Sequence, residues 1–172
     1  MPSDLLTGAG PGPDAAAPSR SASASAIATT ATTATATAIV TGTASDAHTW
    51  NLVFLQLLLE ELGHEVANLG PCVPDAELVD ACRRTAPSLV VVSSVNGHGV
   101  SDGLRVIRRL REQRGLDGTP IVIGGKLGIS GADNARHADR LLAAGFDGVF
   151  DDAAGLSLFQ SYVTALPAGR AS

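Results

Sequence analysis

Five short apolar runs alternate with five longer segments of helical length from residue 38 to residue 166. These short runs are predicted strands at 38–43, 64–70, 88–94, 120–125 and 146–150, and the first of them, "AIVTGT", is apolar and β-branched. The longer segments are predicted helices at 50–63, 74–86, 101–115, 133–145 and 156–166. This alternation of strand and helix is typical of a parallel sheet covered by helices.

Local signals refine this pattern into an α/β, doubly wound, flavodoxin-like fold. The run "SLVVVSS" at 88–94 is apolar without alternation, as expected for a central strand that is buried on both faces. Gly63 follows the first helix as a natural C-terminal cap, and the third helix turns Leu104, Ile107 and Leu110 inward and its arginines outward. We expect a five-stranded parallel sheet in the order 2-1-3-4-5, flanked by helices.

The N-terminal segment has a different composition. From residue 15 to residue 39, 21 of 25 residues are Ala, Ser or Thr, and such small side chains bury too little apolar area to offset the entropy of ordering the chain. We therefore expect a disordered tail at 1–36, one domain at 37–167 and a disordered C-terminus at 168–172.

Charge and hydropathy exclude several classes of function. The net charge is −5, the isoelectric point is near 5.2 and no basic run is present, which argues against nucleic acid or an anionic membrane as a partner. No signal peptide and no stretch of about 20 apolar residues is found. We expect a cytoplasmic protein.

Three unusual loops follow strands 1, 3 and 4, at 46–51, 93–99 and 124–131. In such sheets ligands bind beyond the carboxyl ends of the strands, where these loops converge. Asp46 can accept a hydrogen bond from one imidazole nitrogen of His48 and leave the other nitrogen for a metal. An incidental His beside a capping Asp would give the same pattern.

The other two loops are weaker signals when taken alone. The serines of "SSVNGHG" can bind a ligand or simply cap the edge of the sheet, and His98 is either a polar loop residue or one that faces a ligand or partner. The glycines of "GGKLGISG" can admit a bulky ligand or only turn the chain. Neither a GxGxxG after the first strand nor a P-loop is present, so the usual nucleotide motifs do not fit.

Taken together, the loops resemble the cobalamin signature DxHxxG…SxL…GG of B12-dependent mutases. It reads here as Asp46-x-His48-x-x-Asn51, Ser93-x-Val95 and Gly124-Gly125. The resemblance covers about residues 38–166, and the second and third loops look most like the cobalamin-binding small subunits of glutamate mutase, within the B12-binding domain family.

The resemblance implies a cofactor, adenosylcobalamin, and a role for each matching residue. His48 would be the axial cobalt ligand and Asp46 would orient it. Ser93 would contact the displaced nucleotide tail with Val95 beside it, and Gly124 and Gly125 would let the tail pass close to the backbone. The cofactor-binding residues implied are Asp46, Ala47, His48, Thr49, Trp50, Asn51, Ser93, Val95, Asn96, Gly97, Gly124, Gly125 and Lys126, and no catalytic residue is assigned to this chain.

The implied function is that of an isomerase subunit in a heteromeric enzyme. A larger catalytic subunit would bind the substrate, and the pair would interconvert L-glutamate and threo-3-methylaspartate by radical chemistry. Asn51 stands where the signature has Gly, which predicts crowding of the nucleotide tail and weaker binding. The alternatives are the B12 subunit of another carbon-skeleton mutase, or a cobalamin-binding or regulatory flavodoxin-like module without mutase activity.

Overall fold

The computed structural model describes residues 37–128 and 134–166, which form a single five-stranded parallel sheet with helices on both faces. The strands are β1 Thr37–Gly42, β2 Glu65–Gly70, β3 Leu89–Ser94, β4 Ile121–Gly125 and β5 Gly148–Asp151. The helices are α1 Trp50–Glu61, α2 Asp75–Thr85, α3 Gly99–Arg111, α4 Asn134–Ala144 and α5 Asp152–Ala165, with a short 3₁₀ helix at Arg114–Leu116. The expectations for 1–36 and 168–172 lie outside the described residues.

The strand order is β2-β1-β3-β4-β5, and every pairing is parallel, so the predicted fold class and order are confirmed. β3 lies at the centre and all six of its residues are buried, as its uninterrupted apolar pattern predicts. Because all five strands run in the same direction, the loops that follow β1, β3 and β4 lie at the same edge of the sheet, the carboxyl edge.

Successive strand residues face two separate helical layers. Ile39, Val90 and Ile121 pack on the side that carries α2, α3 and α4. Val40, Val91 and Val122 pack on the other side, against α1 and α5. Burial on both sides is therefore built from aliphatic side chains, in keeping with a chain that is only 3% aromatic.

Helix ends follow the sequence signals at some positions and depart from them at others. Gly63 has φ +88° just beyond α1, where the amide of His64 bonds to the carbonyl of Leu59 at 3.0 Å, a glycine-terminated helix end. α3 begins at Gly99, two residues earlier than predicted, and α5 begins at Asp152, four residues earlier. Both early starts extend the helices towards the edge of the sheet where the three loops meet.

The arginines of α3 do not all point outward. The guanidinium of Arg111 donates to the carbonyls of Gly145, Leu116 and Thr119 and pairs with Asp147. Arg111 therefore ties α3 to the turns before β4 and β5, and the expectation that every arginine of this helix faces solvent is wrong at this position. Within 37–128 and 134–166, no helix is long and apolar enough to cross a membrane.

Candidate functional site

Asp46 is the residue around which the carboxyl edge of the sheet is organised. Its side chain is only 1% exposed, and its Oδ2 accepts hydrogen bonds from the amides of Val95 at 2.5 Å and Asn96 at 3.3 Å. Its backbone carbonyl accepts a bond from the amide of Cys72 at 2.8 Å. One residue thus joins the loops that follow β1, β2 and β3.

The other carboxylate oxygen of Asp46 holds His48. Oδ1 lies 2.6 Å from Nδ1 of the imidazole and accepts a second bond from the His48 amide at 3.0 Å. With Nδ1 committed to the carboxylate as a donor, the lone pair of the imidazole is on Nε2. The His48 side chain is 61% exposed, so this nitrogen is presented at the rim of the site.

The carboxyl of Asp46 stays ionised at neutral pH. Burial by itself would raise its pKa, but the hydrogen bonds from the His48 and Val95 amides and from the His48 imidazole hold the pKa below its usual value. A lowered folded-state pKa stabilises the fold above the unfolded value of about 3.9, and this stabilisation is lost as the pH falls through the lowered pKa.

A second layer of polar contacts supports this pair, and part of it was missed by sequence reasoning. Asn96 donates from Nδ2 to both the carbonyl and the hydroxyl of Ser45, each at 2.9 Å. The Ser45 hydroxyl in turn donates to Asp102 on α3 at 2.5 Å, and Arg105 donates to the other Asp102 oxygen at 2.7 Å. The loop that carries His48 is therefore anchored to α3.

Asp102 is buried and ionised within that anchor. Burial would raise the pKa of its carboxyl, but the hydrogen bonds from Ser45 and Arg105 lower it below the usual value. In the sequence, Asp102 shows only as an acidic residue in the first turn of a helix, where it reads as an ordinary partner of the helix dipole. No pattern in the sequence connects it to Ser45, 57 positions earlier.

A narrow apolar cavity lies beside this network, between the sheet and the layer of α1 and α5. We call it the slot; its volume is about 410 Å³. Its lining residues are Asn51, Phe54, Leu55, Val91, Val92, Ser93, Val95, Val122, Ile123, Gly124, Gly125, Phe150, Gly155, Leu156 and Phe159. Five of the predicted residues, from all three loops, therefore meet on one cavity.

Asn51 contributes its side chain to the wall of the slot. Its Nδ2 donates to the Ser93 hydroxyl at 2.6 Å, while its Oδ1 is buried without a hydrogen-bond partner among the described residues. An unpaired buried amide oxygen is costly in a folded protein. Asn51 therefore forms a hydrogen bond with the Ser93 hydroxyl and leaves an unpaired acceptor, its own Oδ1, beside the slot.

The two glycines at the end of β4 are required by their neighbours in the sheet. A Cβ on Gly124 would lie 2.8 Å from the carbonyl oxygen of Phe150 on β5. Gly125 has φ +104°, and a Cβ there would overlap the carbonyl oxygen of Ser94 on β3. Both residues also line the slot. The same two glycines therefore allow the strands to pack closely and allow a ligand in the slot to approach the backbone.

The remaining predicted residues divide into two groups. Ala47, Thr49, Trp50 and Lys126 are exposed around the rim, and Trp50 is 85% exposed. Gly97 lines a different cavity, on the opposite face of the sheet, and not the slot. The ligand contacts of all thirteen predicted residues stay predictions.

Comparison with known proteins agrees with this geometry. The family model described as the B12 binding domain matches residues 36–152, about two-thirds of the chain. The chain belongs to the B12-binding domain family.

Relatives within the curated proteins narrow this class. The chain is 32% identical over 113 residues to the glutamate mutase sigma subunit of Fusobacterium nucleatum, covering 65% of this chain and 82% of that protein. It is 34% identical over 106 residues to the glutamate mutase sigma subunit of Carboxydothermus hydrogenoformans, covering 62% and 77% respectively. The resemblance predicted from the three loops is confirmed.

Solved structures show the same fold at lower identity. A cobalamin-binding protein from Desulfitobacterium hafniense superimposes with a TM-score of 0.61 at 20% identity, over 75% of this chain and 60% of that one. The chemotaxis response regulator CheY4 of Vibrio cholerae gives a TM-score of 0.55 at 16% identity, over 75% and 98% respectively. At these identities the likeness supports the flavodoxin-like fold alone.

The residues present fit cobalamin. His48 offers one oriented imidazole nitrogen at an exposed rim, and the slot beside it is mostly apolar, with the Ser93 hydroxyl and the glycines Gly124 and Gly125 on its walls. Within the described residues no cluster of three or more His, Cys, Asp or Glu could hold a bare metal ion. A cobalt ion held in a corrin ring needs only one ligand from the protein.

Replacing Asn51 tests whether its side chain competes with the cofactor. If a bound nucleotide tail replaces Asn51 as the donor to the Ser93 hydroxyl, the bond from Asn51 breaks at a cost of about 0.5–1.5 kcal/mol. We expect Asn51→Ala to bind hydroxocobalamin roughly 2–10-fold more tightly by spectrophotometric titration. Asn51→Gly should gain at least as much, because it also removes the Cβ.

The two variants separate the amide from simple bulk. A gain confined to Asn51→Gly would assign the obstruction to the Cβ and leave the amide neutral. Weaker binding by both variants would contradict competition and would make the amide of Asn51 a contact that supports the tail.

Proposed function

We propose that this chain is the cobalamin-carrying subunit of a glutamate mutase, which interconverts L-glutamate and threo-3-methylaspartate with adenosylcobalamin and a larger catalytic subunit. The observation that supports this most directly is the Asp46–His48 pair, in which a buried carboxylate 2.6 Å from Nδ1 directs the other imidazole nitrogen outward. The sigma-subunit names of the relatives favour a mutase over a regulatory module.

The chain's own residues supply ligation, orientation and shelter. His48 would donate Nε2 to cobalt, and the buried carboxylate of Asp46 would fix the tautomer and the orientation of the ring. Ser45, Asn96 and Asp102 would keep that loop in place. When bound, adenosylcobalamin supplies a weak cobalt–carbon bond whose homolysis starts radical chemistry.

The slot would take the displaced nucleotide tail of the cofactor. Ser93 presents a hydroxyl to a mostly aliphatic cavity, so a polar group of the tail has a partner while its flat base is kept from water. Gly124 and Gly125 leave one wall without side chains. No described residue of this site has an evident role in recognising an amino acid, which agrees with a substrate site on the partner.

The exposed side of α1 is suited to covering by that partner. Trp50, Val53, Phe54 and Leu57 recur at helical spacing and are 85%, 45%, 49% and 59% exposed. The opposite side of α1 buries Leu52, Leu58 and Leu59 in the core, so this helix is apolar on both sides. Such a helix is normally buried all round. The exposed side, the α1 apolar face, begins two residues after His48, and a subunit that closes over the cofactor would meet it first.

A charge on the α1 apolar face should weaken assembly and leave cofactor binding intact. We expect Leu57→Asp to raise the dissociation constant for the large subunit roughly tenfold or more, because an unpaired carboxylate would be buried in the interface. Surface plasmon resonance of cobalamin-loaded chains measures this. Leu142→Asp is the matched control, since Leu142 is 43% exposed on α4 in the opposite layer. Equal losses for the two variants would place the interface elsewhere.

The proposed activity is tested by reconstitution. The purified chain, adenosylcobalamin and the large subunit encoded in the same genome are incubated with L-glutamate, and threo-3-methylaspartate is followed by proton NMR. Product that depends on both subunits and is lost in His48→Ala supports the proposal. Turnover of an acyl-CoA substrate in place of glutamate would assign the chain to another carbon-skeleton mutase.

A further inference from the structure

A second, wider cavity lies on the face of the sheet opposite the slot. It runs between α3 and α4 and has a volume of about 850 Å³; we call it the α3/α4 groove. Its mouth is formed by Gly97 and His98, and the loop that holds them also places Asn96 against Asp46. None of the roles assigned to the cofactor or to the large subunit uses this groove.

The groove is strongly cationic within an acidic chain. α3 contributes Arg105, Arg108 and Arg109, and α4 contributes Arg140. No Asp or Glu is among the lining residues that the structure describes, although the chain has 17 acidic and only 12 basic side chains. Four of those twelve basic residues therefore line one groove, and the carboxylates that pair with two of them, Asp75 and Asp102, are not among its described lining residues.

Two of the four arginines form ion pairs with buried carboxylates, and the other two form none within the described residues. Arg105 is fixed by Asp75 at 2.7 Å and Asp102 at 2.7 Å, and Arg109 lies 3.7 Å from Asp75. Arg108 and Arg140 have no ion pair within the described ranges. Arg108 and Arg109 follow Arg105 by three and four positions, and like charges at this spacing on a helix repel one another. A bound anion would weaken that repulsion.

The floor of the groove is aliphatic. Val100 and Leu104 pack partly buried against the core, and Leu127 is 1% exposed. A cavity of roughly 300–1,000 Å³ that combines an apolar floor with a few charged groups is typical of a small-molecule site. Arginine forks match phosphate oxygens in geometry and charge.

We propose that the α3/α4 groove binds a phosphate-bearing anion of nucleotide size, a nucleoside diphosphate or triphosphate. Arg108 and Arg140 grip the phosphates from the two facing helices, Arg105 adds a preorganised charge, and the aliphatic floor receives the base or sugar. The ligand is therefore distinct from the cofactor tail, which belongs to the slot on the other face.

The test is a calorimetric titration of the full chain with ATP and, separately, with inorganic tripolyphosphate, at about 150 mM salt. We expect saturable binding of both, with ATP tighter because of the floor. The double variant Arg108→Ala/Arg140→Ala should weaken ATP roughly tenfold or more, since two charge-assisted contacts are lost. The control Arg84→Ala/Arg114→Ala removes two exposed arginines outside the groove and should leave the affinity within about twofold.

The location is checked by repeating the titration in nitrogen-15 HSQC spectra with and without saturating hydroxocobalamin. Amide shifts confined to α3 and α4, and unchanged by the cofactor, support the groove. Displacement of ATP by cobalamin would place the nucleotide in the slot and overturn the proposal. Absence of saturable binding, or equal weakening in the control variant, would also overturn it, and so would binding of a poly-glutamate peptide without any binding of ATP.

Discussion

Replacing His48 with Ala should abolish the histidine-nitrogen splitting in the EPR spectrum of the cob(II)alamin complex. In the parent chain, labelling the histidines with nitrogen-15 should change the splitting of the cobalt lines if, as proposed, the cobalt ligand is the imidazole that Asp46 holds at 2.6 Å. In the variant no oriented nitrogen remains at that position. The affinity for the cofactor should fall by at least the roughly 10–100-fold that follows loss of an outer-shell partner of a metal ligand.

His98→Ala is the matched control for this experiment. His98 is a second exposed histidine at the same edge of the sheet, at the residue that precedes α3, and it has no carboxylate beside its ring among the described contacts. Its removal should leave the labelled spectrum unchanged. A splitting that survives in His48→Ala, or that disappears in His98→Ala, would show that the ligand has been assigned to the wrong histidine.

A parent spectrum identical to that of free cofactor would have two explanations that a further variant separates. Recovery of histidine ligation in Asn51→Gly would show that the Asn51 side chain blocks the slot. Recovery only after addition of the large subunit would show that the chain binds the cofactor as part of the assembled enzyme.

Gly125→Ala should be among the most destabilising single substitutions in the domain. Gly125 has φ +104°, which side chains with a Cβ rarely adopt, and its added carbon would overlap the Ser94 carbonyl on the neighbouring strand. Ser94 lies in the buried central strand and pairs with Gly125, so the backbone has little freedom to move away. Strain and overpacking together should cost on the order of 3 kcal/mol in the free energy of unfolding.

Urea unfolding followed by far-ultraviolet circular dichroism measures this loss. Thermal unfolding followed in the same way should show a drop in Tm of roughly 6–12 °C. Gly118→Ala is the control, because no atom lies within 4 Å of its added carbon and its φ is not positive. That variant should stay within about 0.5 kcal/mol of the parent. An equal loss in the free energy of unfolding for the two variants would show that the backbone at the end of β4 can move to accommodate a Cβ.

The sheet and its order follow from the sequence because short β-branched runs and helical segments alternate regularly in the chain. "SLVVVSS" predicts a strand buried on both sides, and β3 occupies the centre of the sheet. Helix starts were less predictable. α3 begins at Gly99 and Val100, directly after the loop from β3, although glycine is a poor helix former.

The site was predictable where partners are close in sequence and not where they are distant. Asp46 and His48 are two residues apart, so their contact can be expected from spacing alone. The bond from Ser45 to Asp102 spans 57 positions and depends on how α3 packs, which periodicity does not encode. Gly97 lines the α3/α4 groove and not the slot, because the chain turns away from the slot after Val95, and its predicted contact with the cofactor stays a prediction.

The fluorescence of Trp50 should report directly on cofactor binding. It is the only tryptophan in the chain, it is 85% exposed, and it stands two residues from the proposed cobalt ligand. Corrins absorb where indole emits, so energy transfer should dim the intrinsic fluorescence as the cofactor loads. Occupancy can then be read in dilute solution, in real time and without a label, from a residue that contributes little to the folded core.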